Sequence, residues 1–205
     1  MKRLTQFISE KLKINSKSKV NSKSKIEYFP QTKNELKDII VKVCKESTDK
    51  ECVNLNIIDT SKITDLSFLF THSYIKNALK GRDIEISDWD VSNVKDFHCM
   101  FDFYGLSNDS SDKFNFDLSK WDVSNGRDFN CMFTGLKSFE GKGLENWNME
   151  NAISISHMFR GCKKLNCDLS KWTLKDLQKG EYIYVFDDTF FPTDKMPKYK
   201  NRYVL

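Results

Sequence analysis

Cysteine and histidine side chains are the first candidates for chemistry in this 205-residue chain, which holds six cysteines and three histidines. His98 and Cys99 are adjacent, and Cys131 occupies the same position as Cys99 in the next copy of a recurring segment. These three residues could supply a zinc site, and a Cys–His pair could act as an activated nucleophile. However, the chain has no Cys-x-x-Cys pair and no orienting third residue at a recognisable spacing. We therefore interpret both cysteines as small, buried, free thiols, and predict no catalytic residue, no metal and no cofactor, that is, no enzyme.

The elements that carry these residues recur along the chain. Residues 121–133 are repeated with few changes as residues 89–101 and, more distantly, as residues 147–159. A weaker copy covers residues 58–70, and a decayed one starts at Trp172. The spacing of these copies falls in the range of roughly 20–50 residues that is typical of solenoid repeats. The recurrence of tryptophan at one position predicts packing rather than a row of sugar-binding rings.

Within each recurring segment the pattern predicts a short strand and then a helix. Alternating apolar residues over 116–121 are typical of a strand, and the serine of Trp-Asp-Val-Ser-Asn can cap the helix that follows. Val94, Phe97 and Met100 then recur at every third position, as they would on one helix face. The sequence therefore predicts an α/β repeat fold, with four to five repeats of strand plus helix over residues 52–186.

The segment 1–25 differs in charge from the rest of the chain. It holds eight Lys or Arg and one Glu, a net charge of +7, so the remainder of the chain carries 4 − 7 = −3. A mildly acidic body argues against nucleic-acid binding by the folded part. Residues 15–25 alternate Ser and Lys and predict a flexible linker. Residues 1–14 predict a basic amphipathic helix, whose candidate interaction residues are Leu4, Phe7, Ile8 and Lys11.

Both ends of the repeat region are predicted to be capped. Thr32 and Glu35 have the spacing of a capping box, and apolar residues at helical spacing follow them. We therefore predict an N-terminal cap helix within residues 26–51, and assign residues 187–205 to a C-terminal cap or tail.

Two insertions lengthen the first repeats, over residues 71–83 and 102–113. Insertions in repeat proteins map to loops, often on one face, so these two should lie side by side. The alternative, loops without a role, stays open. The second insertion supplies the further candidate interaction residues Asn108, Asp109 and Asp112.

The recurring pattern Asp-Leu-Ser-Lys-Trp-Asp-Val-Ser-Asn-x-x-x-Phe-x-x-Met-Phe resembles the BspA-like leucine-rich-repeat family, a pattern also common in mycoplasma surface proteins. The resemblance implies a short leucine-rich-repeat-like solenoid with a helical N-terminal cap, and non-enzymatic binding to proteins or cell surfaces. Family members usually have Met where this chain has Phe97 and Phe129, and bacterial surface members carry a secretion or anchoring signal. The opening residues look instead like those of small members encoded by tailed phages.

Two function classes follow as expectations. The first is a non-catalytic protein–protein interaction module with an unidentified protein partner. The second is a phage virion structural or packaged protein, docked through its basic N-terminal segment. No secretory signal or transmembrane segment is expected, so the protein would lie in the virion or host cytoplasm if phage-encoded, and otherwise in the cytoplasm. A weak membrane-surface contact by residues 1–14 stays open.

Overall fold

The computed structural model of the chain describes residues 25–104, 113–175, 177 and 184–198. The predicted helix over residues 1–14 lies outside the described residues, as does the predicted linker except for Lys25.

The regular elements of the described residues are few and short. They are the helices and strands α1 (Lys33–Glu46), β1 (Cys52–Asn54), α2 (Ser73–Leu79) and β2 (Asp83–Glu85), followed by two 3-10 helices at Leu144–Asn146 and Thr193–Lys195. β1 and β2 pair in parallel, with Val53 opposite Ile84. No helix within the described ranges combines the length and apolar character needed to cross a membrane.

α1 begins where the sequence predicts it. The hydroxyl of Thr32 accepts a hydrogen bond from the amide of Glu35 at 3.2 Å, and the Glu35 carboxylate accepts from the amide of Thr32 at 3.3 Å. These reciprocal bonds satisfy two backbone donors that the first helical turn leaves free. Leu36 and Ile40 are fully buried on the inner face of the helix. The predicted helix and its capping box are therefore confirmed.

The predicted α/β repeat fold, a leucine-rich-repeat-like solenoid with strand plus helix in each repeat, is wrong. The described residues contain two α-helices and one two-stranded sheet, and neither helix lies where a repeat helix was predicted. The reason is the destination of the amide hydrogen bonds. The N–H of Phe97 donates to the carbonyl of Asp128 in the next segment at 2.8 Å, whereas that of Met100 donates to the carbonyl of Phe97 at 3.1 Å. Tight turns therefore produce the apolar spacing that is also typical of helices.

The recurring segments are hydrogen-bonded to one another in parallel register. Single-residue bridges join Asp65 to Asp96, Asp96 to Asp128, and Asp128 to Ser154. Further along each segment, the N–H of Phe101 donates to the carbonyl of Met132 at 2.9 Å. The corresponding bonds of the other segments are Phe70 to Met100, Phe133 to Met158 and Phe159 to Val185. Equivalent residues of successive segments therefore lie next to each other.

The interior between the segments is filled by the same residue types at each step. The tryptophans are between 2% and 5% exposed, which confirms that they are packing positions. Each indole N–H donates to a backbone carbonyl of the preceding segment, in the pairs Trp89–Leu55, Trp121–Ile86, Trp147–Leu118 and Trp172–Leu144. Phenylalanine rings stack beside them, in the sequence Phe70, Phe101, Phe133, Phe159 and Phe186. Asparagine side chains link the outer turns, in the pairs Asn93–Ser61, Asn125–Ser92 and Asn151–Ser124.

The first insertion forms α2, and one arginine fixes it to α1. Arg82 is 9% exposed, and its guanidinium donates to the carbonyls of Cys44 at 2.6 Å, Ala78 at 2.9 Å, Leu79 at 2.9 Å and Asp49 at 3.1 Å. Three of these acceptors belong to the last turns of α1 and α2, where carbonyls lack partners within the helix. One buried cation thus closes the carboxyl ends of both helices.

Candidate functional site

Five residues at one position of the recurring segments have a left-handed backbone, and we call them the left-handed row. They are Phe68, Cys99, Cys131, His157 and Tyr184, with φ between 51° and 56°. A side chain in this conformation costs about 1–2 kcal/mol, so glycine is the residue that usually occupies it. In this row, every described copy of the position holds a larger side chain instead.

A tight turn imposes the left-handed conformation. In the second segment, the carboxylate of Asp96 accepts from the N–H of His98 at 2.9 Å, and the N–H of Met100 donates to the carbonyl of Phe97 at 3.1 Å. Cys99 is then the third residue of a four-residue turn, the position with positive φ in a type II turn. The first and third segments repeat the carboxylate bond, with the pairs Asp65–Ser67 at 2.7 Å and Asp128–Asn130 at 2.9 Å.

The side chains of the left-handed row differ in burial. Phe68 is 45% exposed and Tyr184 is 61% exposed, whereas Cys99 is only 7% exposed. The ring of Phe68 packs against His98 with centroids 4.9 Å apart, and His157 stacks on Tyr184 at 5.3 Å. The row therefore presents an exposed aromatic ring at each end and more protected groups between them.

The centre of the row contains two neighbouring thiols. Cys99 and Cys131 interact with each other, and this interaction raises the pKa of Cys99 and lowers the pKa of Cys131. The Cys131 thiol donates to Oδ1 of Asn130 at 3.3 Å. Contrary to our interpretation of both as buried residues, Cys131 is only partly buried. Among the described residues, no group of three or more His, Cys, Asp or Glu side chains is arranged so that it could hold a metal.

His157 adds an unsatisfied polar atom to the row. Its Nδ1 is buried and has no hydrogen-bond partner among the described residues. A buried polar atom without a partner costs about 1–3 kcal/mol, so this position is also unfavourable for stability.

A polar network borders the row beside Phe68. The ammonium of Lys33 donates to Asp65 at 2.8 Å and to the hydroxyl of Ser67 at 2.6 Å. Burial raises the pKa of Asp65, but the bonds from Lys33 and Ser67 outweigh it and leave that pKa below its ordinary value.

A second lysine extends this network along α1. Lys37 Nζ lies 2.6 Å from Nε2 of His72. Burial and the nearby Lys33 lower the pKa of Lys37, and burial and Lys37 lower the pKa of His72. A neutral imidazole that accepts from the ammonium fits both shifts. The contact fixes α1 against His72, which follows the tight turn of the first recurring segment.

A cleft of about 710 Å³ lies between α1 and α2. Arg82 contributes to its wall, but the guanidinium already donates to four carbonyls. The cleft is bordered mainly by exposed lysines and small polar residues, and it lacks converging side chains that would favour one ligand.

The predicted interaction residues do not overlap with the left-handed row. All of them lie outside the described residues, namely Leu4, Phe7, Ile8, Lys11, Asn108, Asp109 and Asp112. The adjacency of the two insertions is confirmed for their described residues, because Lys76 of α2 lies 4.7 Å above the ring of Phe103 in the second insertion. Beyond Phe103, Tyr104 is 42% exposed and its ring receives the guanidinium of Arg160 at 4.1 Å.

Sequence reasoning missed the left-handed row although its position is visible in the sequence. The residue before each Leu-Phe, Met-Phe or Val-Phe pair is Phe, Cys, Cys, His and Tyr in turn. The apolar spacing places this position on a helix, where its variation would have no special meaning. The change of residue at this position becomes informative only when the tight turn is known, because the turn is what makes glycine the expected residue.

Comparison with known proteins identifies one family. The family model DUF285, described as "Mycoplasma protein of unknown function", matches residues 40–172 and 108–192, which include all five residues of the left-handed row. No curated protein and no solved structure matches the chain.

Proposed function

The chain belongs to the DUF285 family, and we propose that it is a non-catalytic protein–protein interaction module that binds its partner through the left-handed row. The observation that carries this proposal is the choice of residues at the row. Each of the five has a left-handed backbone that favours glycine. Phenylalanine, cysteine, histidine and tyrosine therefore occupy these positions at a cost to stability, which is expected where a side chain serves binding.

The composition of the row suits a protein partner. Exposed Phe68 and Tyr184 are the kinds of ring that anchor protein interfaces. Since adjacent segments are about 4.8 Å apart, the row from the first to the fifth segment is about 19 Å long. Charged groups border it, with Asp128 beside His98 at 3.7 Å and Arg160 beside Asp187 at 3.2 Å. Apolar anchors with a charged border are typical of a specific interface.

Site-specific photo-crosslinking tests this proposal. A benzophenone side chain placed at position 68 or 184 should capture the same protein in the native cell. The same group at position 171, where exposed Lys171 lies outside the row, should not capture it. The affinity of the purified partner is then measured for the double variant Phe68→Gly, Tyr184→Gly, in which glycine suits the turn. We expect binding to weaken at least ~10-fold, because each lost anchor costs about 1–2 kcal/mol.

Phe190→Ala provides the matched control. Phe190 is 85% exposed but lies outside the row, so its loss should leave affinity unchanged. Unaltered binding by the double variant would overturn the proposal, as would an equal loss in the Phe190 variant.

The finer assignment, a BspA-like protein encoded by a phage and carried in the virion, is a second proposal. It rests on the Trp-Asp-Val-Ser-Asn recurrence and on the +7 charge of the segment 1–25, and this basic segment would dock the protein in the particle. Mass spectrometry of purified particles tests it, and absence of the protein from the particles would refute it.

A further inference from the structure

We propose that Cys99 and Cys131 form a redox-active dithiol, which reacts with low-molecular-weight disulfides and closes into a reversible disulfide across two adjacent recurring segments. This inference stands independently of the proposed binding role, because it concerns only the chemistry of the two thiols.

The register of the segments places the two cysteines opposite each other. Asp96 forms a parallel bridge with Asp128, and each of these aspartates precedes its cysteine by the same interval. The N–H of Cys99 donates to the carbonyl of Asn130 at 2.8 Å, immediately before Cys131 in the sequence. Paired parallel segments are about 4.8 Å apart, within the Cα separation of about 4.4–6.8 Å that a disulfide spans.

The shared left-handed conformation aligns the two side chains. φ is 51° at Cys99 and 55° at Cys131, so the two Cα–Cβ bonds leave equivalent turns in similar directions. Their thiols are consequently close enough to interact with each other. Conversion to a disulfide requires the sulfur atoms to approach further but does not require the segments to change register.

The environment gives the two thiols different roles. Cys131 is partly buried, its thiol donates to Oδ1 of Asn130 at 3.3 Å, and its interaction with Cys99 lowers its pKa. Cys99 is 7% exposed, and its pKa is raised by the interaction with Cys131 and by burial. The charged groups facing the pair are the carboxylates of Asp102 and Asp128. Cys131 is thus the accessible attacking thiolate and Cys99 the protected resolving thiol.

The other four cysteines are less suited to this reaction. Burial raises the pKa of Cys44 and of Cys52 to about 11 and that of Cys167 to about 12, and it also raises the pKa of Cys162. The reaction should therefore begin at Cys131.

The proposed reaction is a thiol–disulfide exchange in two steps. The Cys131 thiolate attacks one sulfur of a small disulfide RSSR, forms a mixed disulfide and releases RS⁻, which takes up a proton as RSH. Cys99 then loses its proton to solvent and attacks Cys131 Sγ, which forms the protein disulfide and releases a second RS⁻, protonated to RSH. The protein dithiol is oxidised by two electrons and RSSR is reduced to two RSH. An excess of RSH reverses both steps.

Oxidised glutathione is the probe that tests this reaction. The full chain is reduced, freed of reductant and incubated with glutathione buffers of increasing oxidised fraction. Acid quenching, alkylation and peptide mapping then identify the bonds. We expect the Cys99–Cys131 disulfide to form before any other. In the reduced protein at neutral pH, Cys131 should react with iodoacetamide on the order of tenfold faster than Cys167.

Single variants distinguish the two roles. Cys99→Ser should accumulate a stable glutathione adduct at Cys131, because the resolving thiol is absent. Cys131→Ser should leave Cys99 free under the same conditions, and the control Cys167→Ser should form the Cys99–Cys131 disulfide as the native chain does. The proposal is overturned if the native chain forms no such disulfide, if another pair forms first, or if both single variants carry equal adducts. Mapping of the native chain decides the matter even if a variant fails to fold.

Discussion

The interior columns and the left-handed row are two sets of repeated positions that follow opposite rules. The tryptophan and phenylalanine columns of the interior hold the same residue at successive steps, namely tryptophan at 89, 121, 147 and 172 and phenylalanine at 70, 101, 133 and 159, and these side chains are almost fully buried. The row keeps one backbone conformation but changes its side chain from Phe to Cys, His and Tyr. Identity at a repeated position therefore indicates packing, whereas variation at a position with a costly backbone indicates a role for the side chain itself.

The largest effect on the free energy of unfolding is expected in the interior. Phe133 is fully buried and stacks against Phe101 at 5.9 Å and Phe159 at 5.7 Å. Phe133→Ala should lower the free energy of unfolding by about 3–5 kcal/mol, because it removes buried area and leaves a cavity between three segments. Denaturant unfolding measures this change. Phe68→Ala is the matched control from the row, and the comparison would fail if it destabilised the protein equally.

A smaller loss is expected at the repeated asparagines, which are exposed but still structural. The side chain of Asn125 donates to the carbonyl of Ser92 at 2.7 Å. Asn125→Ala should lower the free energy of unfolding by about 1 kcal/mol, the net value of one hydrogen bond. Asn125→Asp removes the donor with little change of shape and should reproduce the loss in thermal or denaturant unfolding. An unchanged free energy of unfolding in both variants would show that this asparagine bond does not stabilise the fold.

Substitution by glycine in the left-handed row should instead raise the free energy of unfolding. Tyr184 has φ of 56° and is 61% exposed. Tyr184→Gly should raise the free energy of unfolding by about 0.5–1 kcal/mol, since relief of the backbone outweighs the loss of the partial stacking on His157. Tyr184→Ala retains a Cβ atom and should give no such gain. Destabilisation by the glycine variant would show that the tyrosine is retained for packing rather than binding.

The smallest effect concerns the polar border of the row and depends on pH. Hydrogen bonds from Lys33 and Ser67 hold the pKa of Asp65 below its ordinary value of 3.8 despite the opposing effect of burial. The unfolded chain therefore binds the proton first as the pH falls. The resulting stability is present above about pH 4 and is lost as the pH drops through the lower, folded pKa.

Asp65→Asn tests this contribution. The variant should show a weaker dependence of unfolding free energy on pH in that acidic range, and denaturant titrations at several pH values measure it. Since Asp65 is partly exposed, the difference should be smaller than the others. Asp38→Asn is a control outside the row, at an exposed carboxylate of α1. An unchanged pH profile in the Asp65 variant would contradict the assigned pKa direction.

Local signals in the sequence are sufficient for α1 but not for the recurring segments. The capping box of Thr32 and Glu35 depends on two nearby positions of the chain, so it is legible without the fold. The apolar spacing of Val94, Phe97 and Met100 fits both a helix and a chain of tight turns. The N–H of Phe97 donates to a carbonyl of the next segment rather than to one in the preceding turn of its own segment. The residues near Phe97 in the sequence do not indicate which carbonyl will accept from its N–H.

The candidate site is hidden from the sequence for the same reason. The five residues of the row can be aligned from sequence, but their significance depends on the turn that makes glycine the expected residue. Breaks in the repeat, such as Asp109 and Asp112, attract a functional prediction because they differ visibly from the recurring pattern. The residues that combine constraint with variation lie inside the pattern, where recurrence alone suggests scaffold.

The hydrogen bonds of the tryptophan indoles have a consequence for folding during synthesis on the ribosome. Each Trp reaches backward along the chain, as Trp121 does to the carbonyl of Ile86 and Trp172 to that of Leu144. A ribosome delivers the chain from its N-terminus, so every new tryptophan emerges after its acceptor has been made. The asparagine bonds point the same way, as in the bond of Asn125 to Ser92. Each new segment can therefore fold onto the segment before it during synthesis, before the C-terminal residues have been made.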